Sequence, residues 1–149
     1  MSLDAKIAEL ADMLDLAGTR DRYVHINPIT LARLMGWEQD DRGWHRGGNC
    51  TVTAPDGAVW TYSQSCANGP PFFSSMEWAA KLVPDGHSLS LAWSTNRVWS
   101  VAIMGPRSSW GSHPASACVA VVQACLRWRV SALRYRQARD ARAAKEGAT

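Results

Sequence analysis

The chain reads as an α+β protein: an antiparallel sheet built from hairpins, helices on both faces in an α-β-α sandwich, and a long C-terminal helix. Three observations predict this. Periodic stretches follow one another as helix, helix, hairpin, helix, hairpin, helix. Strands joined by tight turns pair antiparallel and bury their apolar face under helices. The last stretch, Pro114 to Arg142, keeps Cys118, Val121, Val122, Cys125, Trp128, Ala132 and Leu133 at helical spacing. At 1.5 Å per residue such a helix runs about 40 Å, longer than a small sheet is wide, so its end overhangs the domain.

Each element has its own signal. Leu3, Ile7, Leu10 and Leu14 form one helical face, with Ser2 as cap and Gly18 as stop. Thr19 to Ile26 is a polar connector. Asn27-Pro28 is a cap followed by proline at the first helical position, and Leu31, Leu34 and Met35 form the inner face of a helix stopped by Gly36. Trp37 to Gly48 is a loop pinned by Trp37 and Trp44. Thr51 to Thr53 and Ala58 to Tyr62 flank Pro55-Asp56-Gly57 and predict a hairpin. Ser74 and Glu77 match a capping box, opening a helix that ends before Pro84. His87 to Ser94 and Arg97 to Met104 alternate about Thr95-Asn96, with Leu89, Leu91 and Trp93 facing as Trp99, Val101 and Ile103 do. Gly105 to His113 is a loop, and Pro114 the first residue of the long helix, capped by Ser112 or His113.

Composition narrows the class of protein. The 149 residues make one domain, 46% hydrophobic and 19% charged, as in a soluble globular chain. The net charge of +3 arises in the last helix, and the remainder is acidic. Eight tryptophans serve mainly as core, with several left for stacking. No secretory leader, membrane span or lipidation motif is recognised, which makes the cytoplasm the expected setting. Cys50, Cys66, Cys118 and Cys125 form no CxxC pair, so they read as reduced core thiols and no metal is expected.

Catalytic signatures are missing. There is no GxSxG, P-loop, HExxH or dinucleotide-binding glycine pattern. Asp40-Asp41 lacks further ligands at metal-binding spacing. His45 and His113 are the histidines a small phosphoesterase would use. The stronger signal is Arg127, Arg129, Arg134, Arg136, Arg139 and Arg142, opposed on the helix by Asp140 and interleaved with Trp128 and Tyr135. Guanidinium groups suit bidentate phosphate contact, and the same cations also complement a helix C-terminus in plain solvent. With no helix-turn-helix, zinc finger or RNA-binding motif, the compact cluster favours a small charged nucleotide over a nucleic-acid polymer.

Leu34-Met35-Gly36-Trp37, then Pro71-Phe72-Phe73-Ser74-Ser75 running into Glu77-Trp78-Ala79-Ala80, the tryptophan-bearing hairpin of Leu91 to Met104, and Pro114-Ala115-Ser116-Ala117-Cys118 resemble, in order and spacing, the phage ABA sandwich domain family. The resemblance covers Pro28 to Trp128. It implies residues 1–26 as an added helix and connector, 27–128 as the sandwich core, and 129–149 as an arginine-rich extension. It also implies a cofactor-free anti-defence sponge, including the Thoeris-type kind, which binds a cyclic nucleotide immune signal in the infected cell's cytoplasm without cleaving it, as a homo-oligomer. Relatives carry an arginine early in the last helix, where Val119 and Ala120 stand here. Ligand contacts are therefore expected from Arg127, Arg129, Arg134, Arg97 and Arg107 for phosphate, and from Trp128, Trp93, Trp99 and Asn96 for base or ribose. The alternative is a protein-interaction or assembly module with no small ligand.

Overall fold

A computed structural model describes residues 1–64 and 68–148; the expectation for Cys66 lies outside them. The elements are α1 (Leu3–Ala17), α2 (Pro28–Leu34), β1 (Glu38–Asp40), β2 (Cys50–Thr53), β3 (Val59–Tyr62), α3 (Met76–Ala80), β4 (Ser88–Trp93), β5 (Trp99–Met104), β6 (Ser109–His113) and α4 (Ala117–Gly147). The class is α+β, with antiparallel hairpins and a long last helix. The hairpins occupy two three-stranded sheets, β1-β2-β3 and β4-β5-β6, where one sheet was expected.

Local chemistry accounts for most boundaries. The Ser2 side chain accepts from the Ala5 N–H at the start of α1, and Asn27 Oδ1 accepts from Ile29 and Thr30 at the start of α2. Gly36 ends α2 at a φ of 93°, a conformation glycine adopts without a Cβ clash. Ser75 caps α3 through the Trp78 N–H, so the cap lies one residue later than the capping-box reading placed it. In the second sheet Leu89, Leu91 and Trp93 stand opposite Ile103, Val101 and Trp99, as their alternation requires.

Two segments read as loops are strands. Glu38–Asp40 pairs with β2, and Ser109–His113 pairs with β5. Neither is rich in β formers; each is held by the edge of a hairpin beside it, which satisfies its backbone groups. The start of α4 also differs. Ser116, not His113 or Ser112, is the cap, and its hydroxyl accepts from Val119. His113 Nδ1 instead accepts from the Ala115 and Ser116 N–H groups while Nε2–H donates to Thr19 O, so the buried imidazole joins β6, α4 and the end of α1.

The core lies between α4 and its neighbours. Val119 to Leu126 are buried without interruption, which fits a helix enclosed on several sides. α1 packs along one flank, fixed by Gln123 Nε2 donating to Ala17 O at 2.5 Å. β6 covers another. Gln123 Oε1 accepts from the Ser112 N–H, and Ser109 Oγ donates to Ala124 O. On the opposite face of that sheet Ser88, Ser90, Ser100, Met104 and Trp110 are exposed, so the second helical layer expected there is lacking among the described residues. No described helix is long and apolar enough to cross a membrane.

At Gly111 the sheet and α4 meet backbone to backbone. A Cβ there would collide with Ala120 O and stand 2.9 Å from Ala124 N. Gly111→Ala is expected to lower stability by about 3 kcal/mol, because neither backbone can yield without lifting the helix. Urea denaturation followed by tryptophan fluorescence measures it.

Candidate functional site

Just past the buried run Val119–Leu126, α4 presents Trp128 toward the turn before β4. Trp128 packs edge-on against His87, with ring centroids 5.5 Å apart. Both His87 nitrogens face carbonyl oxygens, Nδ1 toward Asp85 at 3.0 Å and Nε2 toward Arg107 at 3.1 Å. The imidazole thus ties the turn before β4 to the loop after β5. Trp128 Nε1 is buried with no hydrogen-bond partner among the described residues.

This packing leaves an open groove of about 400 Å³ between the loop and α4, within the size range of small-molecule clefts. Trp128, Ala132, Tyr135, Arg136 and Arg139 line it from the helix, and His87, Pro106 and Arg107 from the sheet side. Ala132 keeps its floor low between two aromatics. The Arg107 guanidinium sits 4.8 Å from the centroid of the Tyr135 ring, where the ring's negative face attracts it. Arg136 and Arg139 approach Asp140 only loosely, at 3.8 and 3.7 Å. Three guanidinium groups are therefore opposed by one exposed carboxylate, and the groove favours anions.

Of the residues expected at a site, Arg107 and Trp128 meet here. The others are elsewhere. Arg127 lies 3.8 Å over the Trp110 ring and donates to Trp110 O at 2.8 Å. Arg129 is half-buried and donates through Nε to Leu34 O at 3.0 Å, complementing the C-terminal end of α2. Burial lowers its pKa, and the nearby Arg136 charge adds to the effect. Arg134 is exposed on another side of α4. Trp93 and Trp99 pair at 5.0 Å beside the Asn96-Arg97 turn, where Arg97 adopts a φ of 58°. That turn lies five residues of strand, about 17 Å, from the groove end of the hairpin.

Arg136 and Arg139 belong with the groove instead. The signal was in the sequence: Trp128, Ala132, Tyr135 and Arg139 fall at i, i+4, i+7 and i+11 on one stripe. The phosphoesterase candidates stand apart. Every His113 ring nitrogen is bonded inside the core, and His45 sits in the exposed 3-10 turn Trp44–Arg46. No group of three or more potential metal ligands occurs among the described residues. No family model matches the chain, nor does any curated protein or solved structure.

The arginines thus divide by role. Arg129→Ala is expected to destabilise the fold by about 2 kcal/mol, since it strips a charged donor from a half-buried carbonyl. Arg136→Ala, on an exposed helix face, should change stability by less than about 0.5 kcal/mol. Paired thermal melts test the contrast.

Proposed function

We propose that the chain is a non-catalytic sponge that sequesters a cyclic nucleotide immune signal, a cyclic ADP-ribose isomer or a cyclic oligonucleotide, in the cytoplasm of a phage-infected bacterium. The observation that carries this reading is the Arg107–Arg136–Arg139 groove with Tyr135 and Trp128 in its wall. Forked guanidinium donors from opposite sides suit a phosphate group, and the aromatic wall suits a base or ribose. The resemblance to phage ABA sandwich domains supports the same assignment. The ligand would be held and released unchanged, and assembly would run through α4.

A second reading, an assembly module without a small ligand, is favoured by the part of α4 beyond the groove, where residues 140–148 are all exposed.

Isothermal titration with cyclic dinucleotides and cyclic ADP-ribose isomers separates the two. One ligand class is expected to bind, and heating the complex should return it chemically intact. Arg107→Ala and Arg136→Ala should each weaken binding about 10- to 100-fold, the loss of one charged hydrogen-bonding group. No heat of binding across the panel, or a cleaved product, overturns the sponge reading.

A further inference from the structure

A second cleft, of about 280 Å³, lies between the start of α2 and the first sheet, near the lower size limit of small-molecule sites. Ile29 and Thr30 line it from the helix, Gln39, Asp41 and Tyr62 from the sheet side, and Trp44 from the turn after β1. The backbone fixes that turn. Asp41 O accepts from the Trp44 N–H at 3.0 Å, and Gly43 O accepts from the Gly48 N–H at 2.8 Å. The Trp44 and Tyr62 rings meet with centroids 6.3 Å apart. Tyr62 is buried, and its hydroxyl accepts from Gln39 Nε2 at 2.8 Å, a bond that joins the two outer strands across β2. Gln39 Oε1 and the Thr30 hydroxyl are bonded to nothing among the described residues.

The charge of the cleft comes from one side chain. Of the adjacent acids Asp40 and Asp41, Arg42 takes only the first. Its Nε and a terminal nitrogen stand 3.0 and 2.7 Å from the two Asp40 carboxylate oxygens. The Asp41 carboxylate forms no hydrogen bond or ion pair among the described residues. A carboxylate beside a tryptophan ring, an amide oxygen and a hydroxyl suits a planar cation that both stacks and donates. The chain shows each of these contacts with its own arginines. Arg127 lies 3.8 Å over the Trp110 ring, and Arg42 forks onto Asp40. Trp44 and Asp41 set the two receptors in one cleft.

We propose that this cleft binds a small ligand bearing a guanidinium group, its plane on the Trp44 ring and its N–H fork on Asp41. The remaining N–H groups donate to Gln39 Oε1 and the Thr30 hydroxyl, and Ile29 and the Tyr62 ring take the alkyl stem. An ammonium has no plane to stack and carries its donors on one atom, so it fits less well. The anion-favouring groove is a separate site, and the inference does not rest on the nucleotide reading.

Butylguanidinium, butylammonium and neutral butylurea are the probes, titrated into the full chain and followed by two-dimensional amide NMR. Butylguanidinium is expected to bind with a Kd below about 1 mM and to shift the Trp44 indole N–H and the Gln39 side-chain amide. Butylammonium should bind about fivefold more weakly, and butylurea about tenfold or more. Asp41→Asn keeps the shape of the side chain and removes its charge, and should weaken butylguanidinium about tenfold. Trp44→Leu should do the same, with circular dichroism verifying the fold. If Trp44→Leu unfolds, Asp41→Asn decides alone, since its side chain holds no other residue. Butylurea binding as tightly as butylguanidinium, affinity unchanged by Asp41→Asn, shifts centred elsewhere, or no saturable shifts overturns the proposal. So does preferential binding of methyl glucoside, which reassigns the cleft to a neutral polyol.

Discussion

The contact between Gly111 and the Ala120–Ala124 turn of α4 is the constraint from which the rest of the architecture follows. A helix can approach a strand so closely only where neither presents a side chain of any size. The approach draws Ser109 and Ser112 within bonding distance of the Ala124 carbonyl and the Gln123 side chain. It also buries the first turns of α4 on several flanks at once. One turn further along, Trp128 needs room that alanine does not. Pro106 and Arg107 line the groove across from it, and His87 packs on its ring while bonding Arg107 O. Along a single helix, small side chains thus mark the close contact with the sheet and a large one marks the start of the groove.

The same geometry sorts the cations. An arginine within reach of an unpaired carbonyl at the edge of the fold is captured by it, because a charged donor to a partly desolvated acceptor is among the stronger polar contacts. Arg127 and Arg129 are held in this way by Trp110 and Leu34. Arg134, Arg136, Arg139 and Arg142 donate to no backbone carbonyl among the described residues. Their charge is directed outward, shared between two sides of one rod, with Asp140 3.8 and 3.7 Å from two of them.

How much of this was legible in the sequence depends on the range of the interaction. α1, α2, the β2–β3 hairpin and the β4–β5 hairpin are specified by neighbours within a few residues, through caps, turn residues and alternation, and they form as expected. β1 and β6 are not specified locally. Glu38-Gln39-Asp40 and Ser109-Trp110-Gly111-Ser112-His113 become strands because a hairpin edge is already in place beside each. His113-Pro114 looked like the entrance of the helix, yet the imidazole bonds two backbone N–H groups and delays the start to Ala117. The site shows the same division. Arg129 finds its acceptor in Leu34, distant in the chain, and no helical wheel reveals that. Arg139 follows from the Trp128–Ala132–Tyr135 stripe, a local pattern that counting arginines alone overlooks.

α4 runs unbroken from Ala117 to Gly147, so its anchored half, its groove and its projecting tip form one rigid member. The side chains that hold its root, Val119 to Leu126, also fix where its tip stands. If an occupant of the groove altered the hold of the projecting tip on another molecule, the two would be linked thermodynamically. By whatever factor one alters the affinity of the other, the reverse effect has the same size. The helix would then serve as a crossbar between two contacts that share no atoms.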